Sequence, residues 1–96
     1  MKLRIITPIT TTGFASIEPF LPLVRSDTEL SHVEIEHGPA SIECDYDEML
    51  ATPATVARII EAERDGMDAV IINCMGDPGM QAGREVVRMP VIGPCE

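Results

Sequence analysis

The chain has 96 residues and a formal charge of −9. A single domain of this length buries only about 60–65% of its unfolded surface. Aromatic residues make up 3% and Trp is absent, so its core must be built from Ile, Val, Leu, Met and Ala. The negative charge argues against nucleic acid or an anionic bilayer as partner, because both reward clustered Lys and Arg.

The opening segment carries Lys2 and Arg4 around a very short apolar run, which is neither a signal segment nor a membrane span. A soluble, cytoplasmic protein is expected. Cys44, Cys74 and Cys95 are odd in number and lack CxxC spacing, so reduced thiols are expected rather than a disulfide framework or a zinc site.

Taken in chain order, residues 2–7 form an apolar-leaning run that ends at Pro8 and predicts a first strand. In 16–24, Ile17, Phe20, Leu21 and Val24 recur at helical spacing, but Pro19 and Pro22 remove backbone donors and permit only a distorted helix. Alternation over 32–36 predicts a half-buried strand near a sheet edge, with His32 on its polar face. Thr52 followed by Pro53 reads as N-cap and first helical residue of a helix that Gly66 terminates. The continuous apolar run 69–73 suits a central parallel strand. Asp77 and Pro78 repeat the cap-plus-proline signal and open a short helix to about Val87, and 90–93 supplies a fourth strand.

Strands alternating with helices predict an α/β fold: a flavodoxin-like, parallel four-stranded sheet flanked by helices. The chain stops at Glu96, where a further helix is due, which reads as a truncation.

In an open parallel sheet, ligands bind beyond the carboxyl ends of the strands. The loops on that rim are 8–13, 38–43, 74–79 and 93 onward, and they hold the hydroxyls of Thr10, Thr11 and Thr12 and the thiol of Cys74. Cys74 directly follows the buried strand and stands shortly before the helix expected at Pro78, whose positive end favours a thiolate. The bland alternative is a space-filling cysteine. Gly76 either lets the backbone approach a ligand or makes the turn, and Asp77 reads as a helix N-cap before it reads as an acid. His32 and His37 lack partner spacing for a metal, and Glu43, Asp45, Asp47 and Glu48 lack the periodicity of a calcium loop. No metal site is expected.

The stretch Asn73-Cys74-Met75-Gly76-Asp77-Pro78-Gly79-Met80 resembles the first catalytic-cysteine motif of hydantoin racemases in the aspartate/glutamate racemase superfamily. Gly38-Pro39-Ala40-Ser41-Ile42-Glu43, with Tyr46-Asp47-Glu48, is similar to that family's second loop. Ala82-Gly83-Arg84-Glu85 through Pro90-Val91-Ile92-Gly93 is similar to its next helix and strand. The first loop departs from the family's usual Asn-Pro-Asn-Thr stretch, because this chain has Thr7-Pro8-Ile9-Thr10-Thr11.

The resemblance implies the N-terminal half of a two-domain racemase, with one catalytic cysteine from each pseudo-symmetric half and no cofactor. Cys74 is the catalytic residue it assigns here, and neither Cys44 nor Cys95 is expected to be the second. Thr10, Thr11, Ser41, Gly76 and Asp77 are the substrate-binding candidates. The expected substrate is a small molecule, a hydantoin or an amino acid, and the expected reaction removes and returns an α-proton. The half alone is expected to be a poor racemase, and its unpartnered apolar surface to favour a homo-oligomer. The competing readings are a related isomerase or decarboxylase with a one-sided cysteine, and a non-catalytic self-associating module.

Overall fold

A computed structural model describes residues 1–13 and 15–96. Four strands, β1 (Lys2–Thr7), β2 (Glu29–Glu34), β3 (Ala69–Ile72) and β4 (Val91–Ile92), form one sheet in the order β2-β1-β3-β4, and every pairing is parallel. This is the flavodoxin-like order, with the chain reversing direction across the sheet between β1 and β3. Helix α1 (Asp45–Arg64) joins β2 to β3, and helix α2 (Met80–Val86) joins β3 to β4. A 3-10 helix (Glu18–Leu23) lies between β1 and β2.

Both α-helices lie on one face of the sheet. Ile6, Val70, Ile72 and Val91 point into that face and meet Ile59 and Ala62 of α1 and Met80 of α2. Ile6, Ile59, Val70 and Ile72 are fully buried, each side chain contributing about 1.5–3 kcal/mol of transfer free energy. Gly83 of α2 makes this packing possible, since a Cβ there would stand 2.6 Å from Cδ1 of Ile59. The opposite face carries Leu3, Ile5, Leu30 and Ile71, over which Phe20, Leu23 and Val24 leave an apolar hollow of about 300 Å³.

Several sequence expectations need correction. Strand β2 begins at Glu29, three residues earlier than alternation suggested, because the Glu29 N–H donates to the Met1 carbonyl (2.8 Å) and its residues 29–34 pair throughout with β1. His32 is half-buried and hydrogen-bonded rather than on a solvated face. Helix α1 begins at Asp45, so Thr52 is not its N-cap and Pro53 lies inside it. The acidic first turn of Asp45, Asp47 and Glu48 complements the positive helix end. Asp47 reaches back to accept the Glu43 N–H (3.0 Å), and Thr52 donates its hydroxyl to the Glu48 carbonyl (2.8 Å). Pro53 is exposed, so the helix bond it cannot supply to Met49 is lost at the water-facing side.

Asp77 is not an N-cap either. Helix α2 starts at Met80 after Gly79, which sits at φ +79° without a capping side chain. The 16–24 segment folds as a 3-10 helix with no buried residue, the distortion that its two prolines dictate. Gly66 does end α1, in the left-handed conformation at φ +83°.

Candidate active site

The parallel arrangement brings the carboxyl ends of β1, β2 and β3 to one rim. There a pocket of about 170 Å³ is lined by Thr7, Pro8, Ile9, Ser41, Ile42, Asn73 and Cys74. Ligand pockets usually begin at about 300 Å³, so these residues form one wall rather than an enclosure. A larger open groove of about 530 Å³, lined by His37, Gly38, Leu50, Pro53 and Ala54, includes no thiol and no residue of this rim pocket.

Cys74 is half-buried and rests on the hydrophobic cluster beneath it, while Cys44 and Cys95 are exposed. Its backbone carbonyl accepts the Asp77 N–H (3.0 Å), which closes a turn directly after the cysteine. Loop 75–79 separates Cys74 in sequence from the seven-residue α2, which starts at Met80 rather than near Pro78.

Of the expected substrate-binding residues, only Ser41 lines the pocket with Cys74. Its hydroxyl donates to Glu43 Oε2 (2.6 Å). Thr10 donates both its N–H (3.0 Å) and its hydroxyl (3.3 Å) to the Pro39 carbonyl, and the Thr11 hydroxyl donates to the Ala40 carbonyl (2.6 Å). These two threonines stitch the first rim loop to the second. Gly76 gives passage to Glu48, whose carboxylate occupies the space a Cβ there would need. Asp77, at φ +50°, accepts the Cys95 N–H on Oδ1 (3.3 Å) and the Met80 N–H on its carbonyl (3.2 Å), bridging the loops after β3 and β4.

The rim loops marked from sequence include Pro8, Ile9 and Ile42 of the pocket, but Thr7 and Asn73 fall just outside them. Thr7 is 2% exposed; its oxygen accepts from Asn73 Nδ2 (3.3 Å) and lies 2.7 Å from His32 Nε2. The signal for Thr7 and Asn73 was available, because Thr7 ends β1 and Asn73 immediately follows β3.

Among the described residues, no Lys or Arg lines the pocket. Arg4 pairs with Asp65 (3.0 Å), Arg58 with Glu61 (3.0 Å), and Arg84 with Glu96, whereas Glu43 and Glu48 stand by the rim. Among the described residues, no group of three or more His, Cys, Asp or Glu could hold a metal ion. Nor is any described helix long and apolar enough to cross a membrane.

Fold and rim together define an open parallel α/β unit with a thiol in a neutral pocket wall. Residues 5–96 match the family described as Asp/Glu/hydantoin racemase, and the chain belongs to that family. It is 44% identical to a hydantoin racemase from Pseudomonas sp. (strain NS671) and 37% identical to one from Rhizobium meliloti; all of this chain is covered, against 39% and 41% of those proteins. An allantoin racemase from Klebsiella pneumoniae superposes with a TM-score of 0.85 at 31% identity, over 96% of this chain and 38% of that one. The chain thus spans about two-fifths of the length of the relatives it matches.

Proposed function

We propose that this chain forms one wall of the active site of a cofactor-independent racemase that acts on a neutral ring bearing an acidic C–H, a hydantoin or related cyclic ureide. The observation that carries this reading is the wall itself: a thiol at the end of the central strand, among neutral hydrogen-bonding groups and without a cation. A free amino acid brings a carboxylate, which the acidic rim repels and no pocket side chain neutralises. A hydantoin brings carbonyls and N–H groups that neutral partners can satisfy.

In the proposed reaction the thiolate of Cys74 takes the proton from the ring carbon between nitrogen and carbonyl. The C–H electron pair moves onto the carbonyl oxygen to give an enolate. A second acid then delivers a proton to the opposite face as the enolate collapses, inverting the centre. By resemblance that second acid is another cysteine, contributed from outside these residues. The two thiols exchange roles with the handedness of the substrate, so the pair titrates as a unit. Thr10 and Thr11 act as the stitch that holds the first loop to Pro39 and Ala40, next to Ser41, and Gly76 and Asp77 set the turn that follows Cys74.

The test is deuterium incorporation at the ring carbon of 5-substituted hydantoins in heavy water, followed by NMR and polarimetry, with free amino acids in parallel. The expected result is incorporation with retained configuration, reduced by about 10²–10⁴ in Cys74→Ser, the usual range for a lost acid/base group. Exchange that persists in Cys74→Ser, or that prefers free amino acids, overturns the reading.

A further inference from the structure

The polar chain running from β2 to the pocket has a fixed direction. Thr7 carries one hydroxyl proton and is 2% exposed, at the wall of the rim pocket. Its oxygen accepts an N–H from the Asn73 amide (3.3 Å), so its own proton must go elsewhere. A buried hydroxyl proton without an acceptor is unfavourable, and the other recorded partner of this oxygen is His32 Nε2 at 2.7 Å. Nε2 is therefore the acceptor, and the imidazole carries its proton on Nδ1. With its nitrogen turned toward Thr7, Asn73 has Oδ1 as the end of the amide available to the pocket it shares with Cys74.

We infer that His32 and Thr7 are positioning residues that lock the Asn73 amide so that it offers a hydrogen-bond acceptor beside Cys74, selecting ligands with a ring N–H. The opposite state is well defined. With the proton on Nε2, His32 donates to Thr7, Thr7 donates to the amide oxygen, and the NH₂ group faces the pocket. One proton position on an edge strand thus sets whether the site asks for a donor or an acceptor. The selectivity rests on the pocket being the substrate site; the direction of the chain does not.

Two measurements on the chain separate these claims. The first is the long-range ¹H–¹⁵N correlation of the His32 ring, with His37→Gln to assign it, together with the side-chain NH₂ signals of Asn73. The Nδ1–H tautomer is expected. Thr7→Val is expected to shift the Asn73 pair, and Thr7→Ser, which keeps the hydroxyl, to leave it in place. An Nε2–H tautomer, or Asn73 signals indifferent to Thr7→Val in a chain whose β3 amide signals are unchanged, overturns the inference.

The second is an NMR titration with 5-methylhydantoin and its N1- and N3-methyl derivatives, which needs no turnover. Methylating the recognised nitrogen is expected to weaken binding roughly tenfold, the scale of one hydrogen bond, and His32→Phe to abolish that discrimination. Equal affinity for all three ligands overturns the selectivity. Loss of Cys74-dependent exchange from the racemase reading leaves the tautomer result standing, so the two failures are distinguishable.

Discussion

The two faces of the sheet are built to different standards. On the α1 and α2 side, Ile6, Ile59, Ala62, Val70 and Ile72 have no exposed surface, and even a glycine is needed to admit Ile59. On the other side a 3-10 helix with no buried residue lies over Leu3, Ile5, Leu30 and Ile71 and leaves a hollow. Strength therefore lies on one side of the sheet, although Ile5 and Ile6 of β1 and Ile71 and Ile72 of β3 place apolar side chains on both faces. The rim pocket sits at the end of these strands, with Cys74 leaning toward the well-packed side and Asn73 bordering the hollow as well as the pocket.

The sharpest way to break this comparison is a matched pair of truncations. Ile59→Ala is expected to lose about 2–5 kcal/mol of stability in equilibrium denaturation, through lost transfer free energy plus a cavity. Leu23→Ala, at 80% exposure on the open side, is expected to lose under about 0.5 kcal/mol. Similar losses for the two would mean that the faces are equivalent.

Next in size is Gly79→Ala. It places a Cβ at φ +79° and 3.2 Å from Cγ2 of Thr55, where α1 meets the start of α2, and is expected to cost about 1–2 kcal/mol. Native-state hydrogen exchange sharpens the contrast without mutation. Amides of Val70–Ile72 are expected to exchange only through near-global unfolding, and those of Glu18–Leu23 through local opening. Equal protection of both segments contradicts the asymmetry.

The smallest effect is expected at Glu96, after β4. The Arg84 guanidinium, and then the Gly93 N–H, hold its carboxyl below the ordinary value of 4.5. A depressed folded pKa contributes stability that is present above the unfolded value and is lost as pH falls through the folded one. Glu96→Gln is therefore expected to cost slightly at neutral pH and progressively less as the pH falls below the ordinary carboxylate value, read as a Tm difference that narrows on acidification.

Much of the fold was legible because β1 and β3 are apolar runs bounded by strong breakers, Pro8 on one side and Gly66 on the other. The family match and the parallel sheet bear out the α/β reading and the racemase resemblance. The start of α1 was not legible, because Pro53 looked like a helix start. Its missing donor is tolerated where the helix faces water, and the acidic cluster before it proved to be the first turn. The start of β2 was hidden because Glu29 and Ser31 are polar and join the sheet through their backbone.

In the site, the rim rule found Cys74 and Ser41, which the pocket brings together. It also placed Thr10 and Thr11 there as candidates, and their hydroxyls donate to the second loop. It could not find the Thr7–His32 contact, since partners 25 positions apart meet only once the register is set.

The seating of Cys74 gives the molecule a built-in gauge of its own pocket. Cys44 and Cys95 are exposed, whereas Cys74 is half-buried against the hydrophobic cluster and lines the rim pocket. Small and bulky thiol labels that reach the two exposed thiols alike are expected to differ at Cys74, where a label must fit the pocket to meet the sulfur. The ratio of modification for the two sizes then measures the width of the rim.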